Sequence, residues 1–129
     1  MIIKRKEYKE IPWTPENIEK YKSGQNLLRH ARSGKNIDGF MLIDSKTQDL
    51  IGYCAWEGDY IVALEIISNY RRQGFGEDIL KRAMKCGVRK LSVNKNNIPA
   101  ISLYKKLGFK ETNNNLGPKM IELEINENN

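Results

Sequence analysis

The stretch NYRRQGFGEDIL, residues 69–80, decides how this chain is to be read. It joins an apolar run, IVALEII (61–67), to a helical pattern, EDILKRAMKC (77–86). Two arginines, a glutamine and two glycines fill the junction, so the turn is cationic and free of bulk. A helix N-terminus leaves N–H groups without partners and carries the positive end of the helix dipole. Glycines that let the preceding turn curl bring those groups to one point, where they bind a phosphate. Gly74 and Gly76 keep Cβ atoms out of a ligand's way, and Arg71 and Arg72 add charge. Two other phosphate loops fail on spacing. Ile79 stands where a GxGxxG needs its third glycine, and Ser33-Gly34-Lys35-Asn36 lacks a P-loop's upstream glycine and final hydroxyl. The alternative is a basic surface turn that uses glycine for shape alone.

Outward from this turn, YIVALEII (60–67) is nearly all apolar, which marks a central strand covered on both faces. Upstream, GFMLID (39–44) and DLIGYCAWE (49–57) flank SKTQ as a hairpin. Thr14-Pro15 reads as an N-cap and first helical residue, and a second helix is expected through QNLLRHARS, stopped by Gly34. The opening IIKRKEYKEI is expected to be a short edge strand. Downstream, Ile79, Leu80, Ala83 and Met84 form one stripe of a helix that starts after Gly76 and is ended by Gly87. KLSVN (90–94) is a strand and PAISLYKKLG (99–108) a helix, while FKETNNN and KMIELEI pair as a final hairpin. A helix of about ten residues between IVALEII and KLSVN predicts that they return as parallel neighbours. The mixed succession predicts an α/β or α+β layered sheet, in one domain spanning residues 1–129.

The net charge of +6 suits an anionic partner. Cys54 and Cys86 are isolated, and His30, the one histidine, lies among arginines with no assigned role. Reduced core thiols and no metal are therefore expected. No apolar run approaches the ~20 residues of a membrane span, and the charged start has no secretory character. A cytoplasmic protein that binds no membrane is the expectation.

A second motif lies downstream, in LSVNKNNIPAISLYKKLGF (91–109). A strand leads into Asn97, Ala100, Leu103 and Tyr104, and a lysine-rich step leads to Gly108 and Phe109. This pattern, with the Arg71-to-Gly76 loop one helix and one strand before it, resembles the two signatures of the GCN5-related N-acetyltransferase (GNAT) superfamily. The resemblance covers roughly residues 60–110. It implies a mixed, mostly antiparallel twisted sheet flanked by helices, whose central parallel strands splay around acetyl-CoA as cosubstrate. Main-chain groups of Ile66, Ile67 and Ser68 would meet the pantetheine arm. The pyrophosphate would meet the amides of Arg72, Gln73, Gly74, Phe75 and Gly76. Asn97 would hydrogen-bond the cofactor, or serve only as the cap of its own helix.

The implied function is direct transfer of an acetyl group to a primary amine of an unidentified acceptor. The amine must lose a proton, the tetrahedral oxyanion needs an N–H donor, and the departing thiolate benefits from an acid. The resemblance makes Tyr104 that acid, although its place on an apolar stripe also suits a core aromatic. Glu65 is the one carboxylate within IVALEII, and alternation puts it with Ile61, Ala63 and Ile67. A poorly solvated carboxylate there would have a raised pKa and suit a base, or Glu65 could be a sheet residue paired with a cation. Glu57 and Asp59 are further candidates, acting through water. Ser92 stands where many relatives carry an acidic residue. The acceptor site is expected from residues 13–34 and 111–122, with Trp13, Tyr21 and Asn113–Asn115 as lining. An acyl-CoA-binding module without catalysis and a basic nucleic-acid-binding domain are the competing functions. The expected partners are acetyl-CoA and the amine acceptor, with no nucleic acid and with homodimerisation left open.

Overall fold

The structure, a computed structural model, describes residues 7–21 and 37–126. The helix expected through QNLLRHARS, with His30, lies outside them. The described residues form seven strands: β1 (Tyr8–Pro12), β2 (Ile37–Asp44), β3 (Leu50–Glu57), β4 (Tyr60–Ile66), β5 (Lys90–Asn94), β6 (Lys110–Glu111) and β7 (Met120–Glu124). Three helices join them: α1 (Pro15–Tyr21), α2 (Phe75–Lys85) and α3 (Ile98–Lys106). One sheet holds all the strands in the order β1-β2-β3-β4-β5-β7-β6. Only β4 and β5 pair in parallel, as the connecting helix predicted. The other pairs are antiparallel, and β1, the described later part of the expected edge strand, lies at the sheet's edge.

Apolar residues of the central strands feed two cores. Phe40, Leu42, Ile51, Cys54, Leu91 and Leu123 meet Ile79, Leu80 and Ala83 of α2 on one face. Met41, Ile43, Tyr53, Ala55 and Ala63 meet Trp13, Ile18 and Tyr21 on the other. Burial on both faces explains why β3 shows no polar alternation. Thr14 caps α1 as expected, accepting the Asn17 N–H at 3.2 Å. The two thiols differ: Cys54 is buried, but Cys86 is exposed. Cys86 caps the C-terminal end of α2, just past the stripe of Ile79, Leu80 and Ala83, so it is not a core thiol. Among the described residues no helix is long and apolar enough to cross a membrane.

Two irregularities shape the functional region. Ala55 pairs with Ala63 but Trp56 pairs with Ile61, so Val62 is an extra residue that bulges from β4. The bulge breaks the expected alternation. Ile61 falls in the first core and Ala63 in the second, so Glu65 does not share a face with Ile61. The second irregularity is where the parallel pair ends. The register of β4 and β5 holds only Tyr60 opposite Lys90, with the Arg89 and Lys90 N–H groups both on Asp59 O at 2.8 and 3.0 Å. Beyond this foot the two strands part.

Buried carboxylates tie loops to this frame. Asp44 accepts the Lys46 and Thr47 N–H groups at 2.8 and 3.3 Å and the Tyr70 hydroxyl at 3.0 Å, joining the β2–β3 turn to the segment before the glycine loop. Glu122 accepts from Tyr60, Thr112 and Asn114 at 3.0, 2.9 and 2.7 Å. Burial alone would raise both pKa values, but these hydrogen bonds outweigh it and hold both below the ordinary carboxylate range. A lowered folded-state pKa gives stability that is present above the unfolded value, ~4 for Asp and Glu, and lost as pH falls through the folded value. Thermal melting followed against pH should therefore show Tm falling below about pH 4, with a shallower slope in Asp44→Asn and Glu122→Gln. Identical slopes in all three proteins would show that these carboxylates do not carry the acid sensitivity.

Candidate active site

Where β4 and β5 part, a cavity of about 710 Å3 opens between the N-terminal ends of α2 and α3. Leu64, Glu65 and Ile66 line it from β4, Arg71, Arg72 and Gly74 to Glu77 from the loop and first turn of α2, and Asn97, Pro99, Ala100, Leu103 and Tyr104 from the cap and body of α3. A second space of about 250 Å3 runs lower between β4 and β5, and shares Leu64, Asn97 and Tyr104 with the first. The two spaces adjoin, with Tyr104 common to both.

The loop has the backbone that its glycines promised. Gly74 takes φ +87° and is the N-cap of α2, so the helix starts at Phe75 rather than after Gly76. Arg72 takes φ +65°, a left-handed conformation that costs a non-glycine residue ~1–3 kcal/mol and that clusters at binding sites. The first helical bond is from the Asp78 N–H to Gly74 O at 3.2 Å, so Phe75, Gly76 and Glu77 have N–H groups that no helix carbonyl satisfies. A Cβ on Gly76 would meet only Leu103 Cδ2, at 3.5 Å, which leaves open space in front of these amides. Phe75 contributes its main chain alone, because its ring is buried against Tyr8 and Tyr70 with centroids 5.6 and 6.2 Å away. Gln73 turns back, donating from Nε2 to Asn69 O at 3.3 Å, and braces the turn instead of lining the cavity.

Glu77 places a carboxylate beside this anion-receptive turn. It bonds Lys106 and Lys81, each at 2.8 Å, and these partners hold its pKa at about 2. Two lysines thus offset its charge, and Arg71 and Arg72 leave the cavity mouth cationic.

On β4 the expected main-chain contacts shift. The Ile67 N–H is bonded to Ile51 O at 2.8 Å and Ile67 O accepts from the Tyr70 N–H at 2.8 Å, so Ile67 is spent inside the protein. Ser68 O accepts from Arg71 N–H at 3.3 Å, and neither Ile67 nor Ser68 lines the cavity. Counting back from Ile67, alternation turns the main chain of Leu64 and Ile66 toward the gap. Ile66 O already accepts from Arg71 Nε at 2.9 Å, which fixes the start of the loop to the strand end.

Asn97 caps α3, its side chain accepting the Ala100 N–H at 3.3 Å, while it also lines both spaces. Tyr104 is 9% exposed, its ring edge-on to Phe109 at 6.2 Å. Burial, and secondarily Cys54 nearby, raise its hydroxyl pKa, so it carries its proton throughout the neutral range. Glu65 departs from the poorly solvated reading and meets the one that pairs it with a cation. It is neither dry nor unpaired: its side chain is 33% exposed, Tyr53 donates to Oε1 at 2.6 Å, and Arg71 Nη2 lies 3.9 Å from Oε2. The bulge at Val62 is the physical reason, because it sets Glu65 opposite Tyr53.

The other expected residues lie apart. Glu57 and Asp59 are exposed at the β3–β4 turn, below the foot of the gap, and Asp59 lines a separate cavity of about 870 Å3 with Arg89 and Lys110. Trp13 and Tyr21 are buried in the second core, Trp13 with its ring 5.5 Å from that of Tyr53. Asn113–Asn115 form an exposed loop held by Asn114 on Glu122. Tyr53, Leu64 and Glu77 are site residues that sequence reasoning missed. The spacing of Glu77 and Lys81 is legible as a helical ion pair, but the contact with Lys106 spans 29 residues.

A family model described as an acetyltransferase (GNAT) domain matches residues 31–111. An N-alpha-acetyltransferase of Sulfurisphaera tokodaii is 41% identical over 59 residues, 40% of this chain and 35% of that protein. The likeness therefore spans about a third of that relative's length. Among solved structures, Arabidopsis thaliana NAA60 in complex with acetyl-CoA shares the fold with a TM-score of 0.72 at 16% identity, over 95% of this chain and 99% of that one. The ribosomal-protein-S18-alanine N-acetyltransferase from Escherichia coli matches with a TM-score of 0.70 at 20% identity, over 92% of each chain.

Proposed function

The chain belongs to the GNAT acetyltransferase family, and on that premise we propose that it transfers the acetyl group of acetyl-CoA directly to a primary amine. One observation carries the reading. The splay of β4 from β5 opens a continuous space from the unsatisfied amides of Phe75 and Gly76 to the hydroxyl-bearing Tyr104. Those amides, with those of Arg72 to Gly74 and the charge of Arg71 and Arg72, suit a pyrophosphate. Ile66 and Asn97 suit the arm of the cosubstrate, and the main-chain groups of Leu64 and Ile66 that face the gap offer a donor to the oxyanion.

Glu65 takes a proton from the ammonium, directly or through water, because a neutral amine is required for attack. The nitrogen–carbon bond forms and the carbon–sulfur bond breaks as Tyr104 delivers its proton to the departing sulfur, and the second proton lost by the nitrogen as the amide forms restores the Tyr104 hydroxyl through water. Replacing Glu65 with Gln should lower the rate most at low pH, where the amine is mainly protonated, and the rate should partly recover as pH rises. A pH-independent loss accompanied by a lowered Tm would instead make Glu65 structural.

A polypeptide α-amine is the first acceptor to test, since two of the similar proteins are named for that chemistry. The experiment is a panel of free-amine peptides, their N-blocked lysine counterparts and spermidine, each incubated with labelled acetyl-CoA. Label on at least one amine supports the reading. Saturable acetyl-CoA binding with no labelled acceptor would mark a binding module instead.

A further inference from the structure

We infer that Tyr53 is a positioning residue for this transfer: its hydroxyl holds Glu65 at the edge of the cleft with one carboxylate oxygen left for the acceptor. The inference rests on the assignment of Glu65 as the base. Tyr53 sits on β3 directly opposite Glu65 and is 2% exposed, so its phenol approaches from inside the protein. The ring is fixed in the second core against Trp13, with centroids 5.5 Å apart. An ionised carboxylate only accepts, so the 2.6 Å contact is a hydrogen bond donated by Tyr53 to Oε1. Burial, then Glu65 itself, push the Tyr53 pKa up, and the hydroxyl remains a donor at every working pH.

The second oxygen is different. Oε2 has Arg71 Nη2 at 3.9 Å, outside hydrogen-bond range, and Arg71 is itself tethered through Nε to Ile66 O. One oxygen is therefore clamped from the buried side. The other remains accessible on a side chain that is one-third exposed and lines the cavity. Tyr53 of β3 and Arg71 of the loop face this carboxylate, and Tyr70, Arg72, Glu77 and Tyr104 share the cavity wall. A proton acceptor works only if it is aimed at the proton it takes, and a donor fixed in a core supplies that aim.

The test is a set of pH–rate profiles at saturating acetyl-CoA, using the best acceptor of the panel above, a free-amine peptide or spermidine. Tyr53→Phe keeps the ring and removes only the donor. It should lower kcat about tenfold, the scale of one hydrogen bond lost from a charged group. The KM for acetyl-CoA should stay unchanged. Adding Tyr53→Phe to Glu65→Gln should cost nothing further, because the hydroxyl acts through the carboxylate. Glu65→Asp breaks the same contact from the other side by shortening the chain, and should also lower kcat. A wild-type profile in Tyr53→Phe, or a loss that adds in full to that of Glu65→Gln, overturns the role of Tyr53. Wild-type turnover in Glu65→Gln instead overturns the assignment of the base, and the two failures are distinct.

Discussion

Replacing Tyr104 with Phe is expected to cut turnover by ~10²–10⁴, the scale of a positioned acid, with little change in acetyl-CoA affinity. The variant preserves the ring that packs edge-on to Phe109 and removes only a hydroxyl. Stability should therefore change little, and a Tm within a few degrees of wild type is the control. Because burial raises the Tyr104 pKa, the group is protonated well above neutral pH, as an acid must be. Loss of turnover without loss of affinity separates chemistry from binding. A variant with wild-type kcat would make Tyr104 a core aromatic.

The second large effect is on binding. Gly76→Val is expected to weaken acetyl-CoA at least ~10²-fold, because its side chain would stand before the free amides of the first turn of α2. The fold should tolerate the change: a Cβ at residue 76 meets nothing closer than Leu103 Cδ2 at 3.5 Å. Gly74→Val should also remove binding, but its φ of +87° adds backbone strain, so its loss would mix stability with sterics. Titration calorimetry with acetyl-CoA on the Gly76 variant is thus the cleaner measurement. Unchanged affinity would remove the phosphate role from this loop.

The fold was legible because its signals are local. Thr14-Pro15 starts α1, glycines bracket α2, a glycine follows α3, apolar runs mark strands, and a one-helix connection forces β4 and β5 parallel. The loop and Tyr104 were legible for the same reason, since each lies within a short motif. Glu65 shows where local reading stops. Counting back from Glu57 opposite Tyr60 with strict alternation puts Tyr53 opposite Leu64, but the bulge at Val62 moves it to Glu65. One extra residue thus turns a carboxylate from a dry strand position to a half-open one with a phenol partner, and no composition signal marks the bulge. Glu122 likewise has no local warning of its burial, because its partners Tyr60, Thr112 and Asn114 converge only through sheet order. Cys86 was misplaced by a smaller effect, the end of α2 one residue before it.

The central claim is that acetyl-CoA binds in the gap between β4 and β5 with its pyrophosphate at the glycine loop. Amide chemical-shift mapping tests it most directly, and a chain of 14.9 kDa suits the method. On titration with acetyl-CoA, the N–H resonances of Arg72, Gln73, Gly74, Phe75 and Gly76 should show the largest saturable shifts, followed by Leu64, Ile66 and Asn97. Largest shifts at Arg89, Lys110 and Asn113 around the separate 870 Å3 cavity, or no saturable shifts at all, would contradict it.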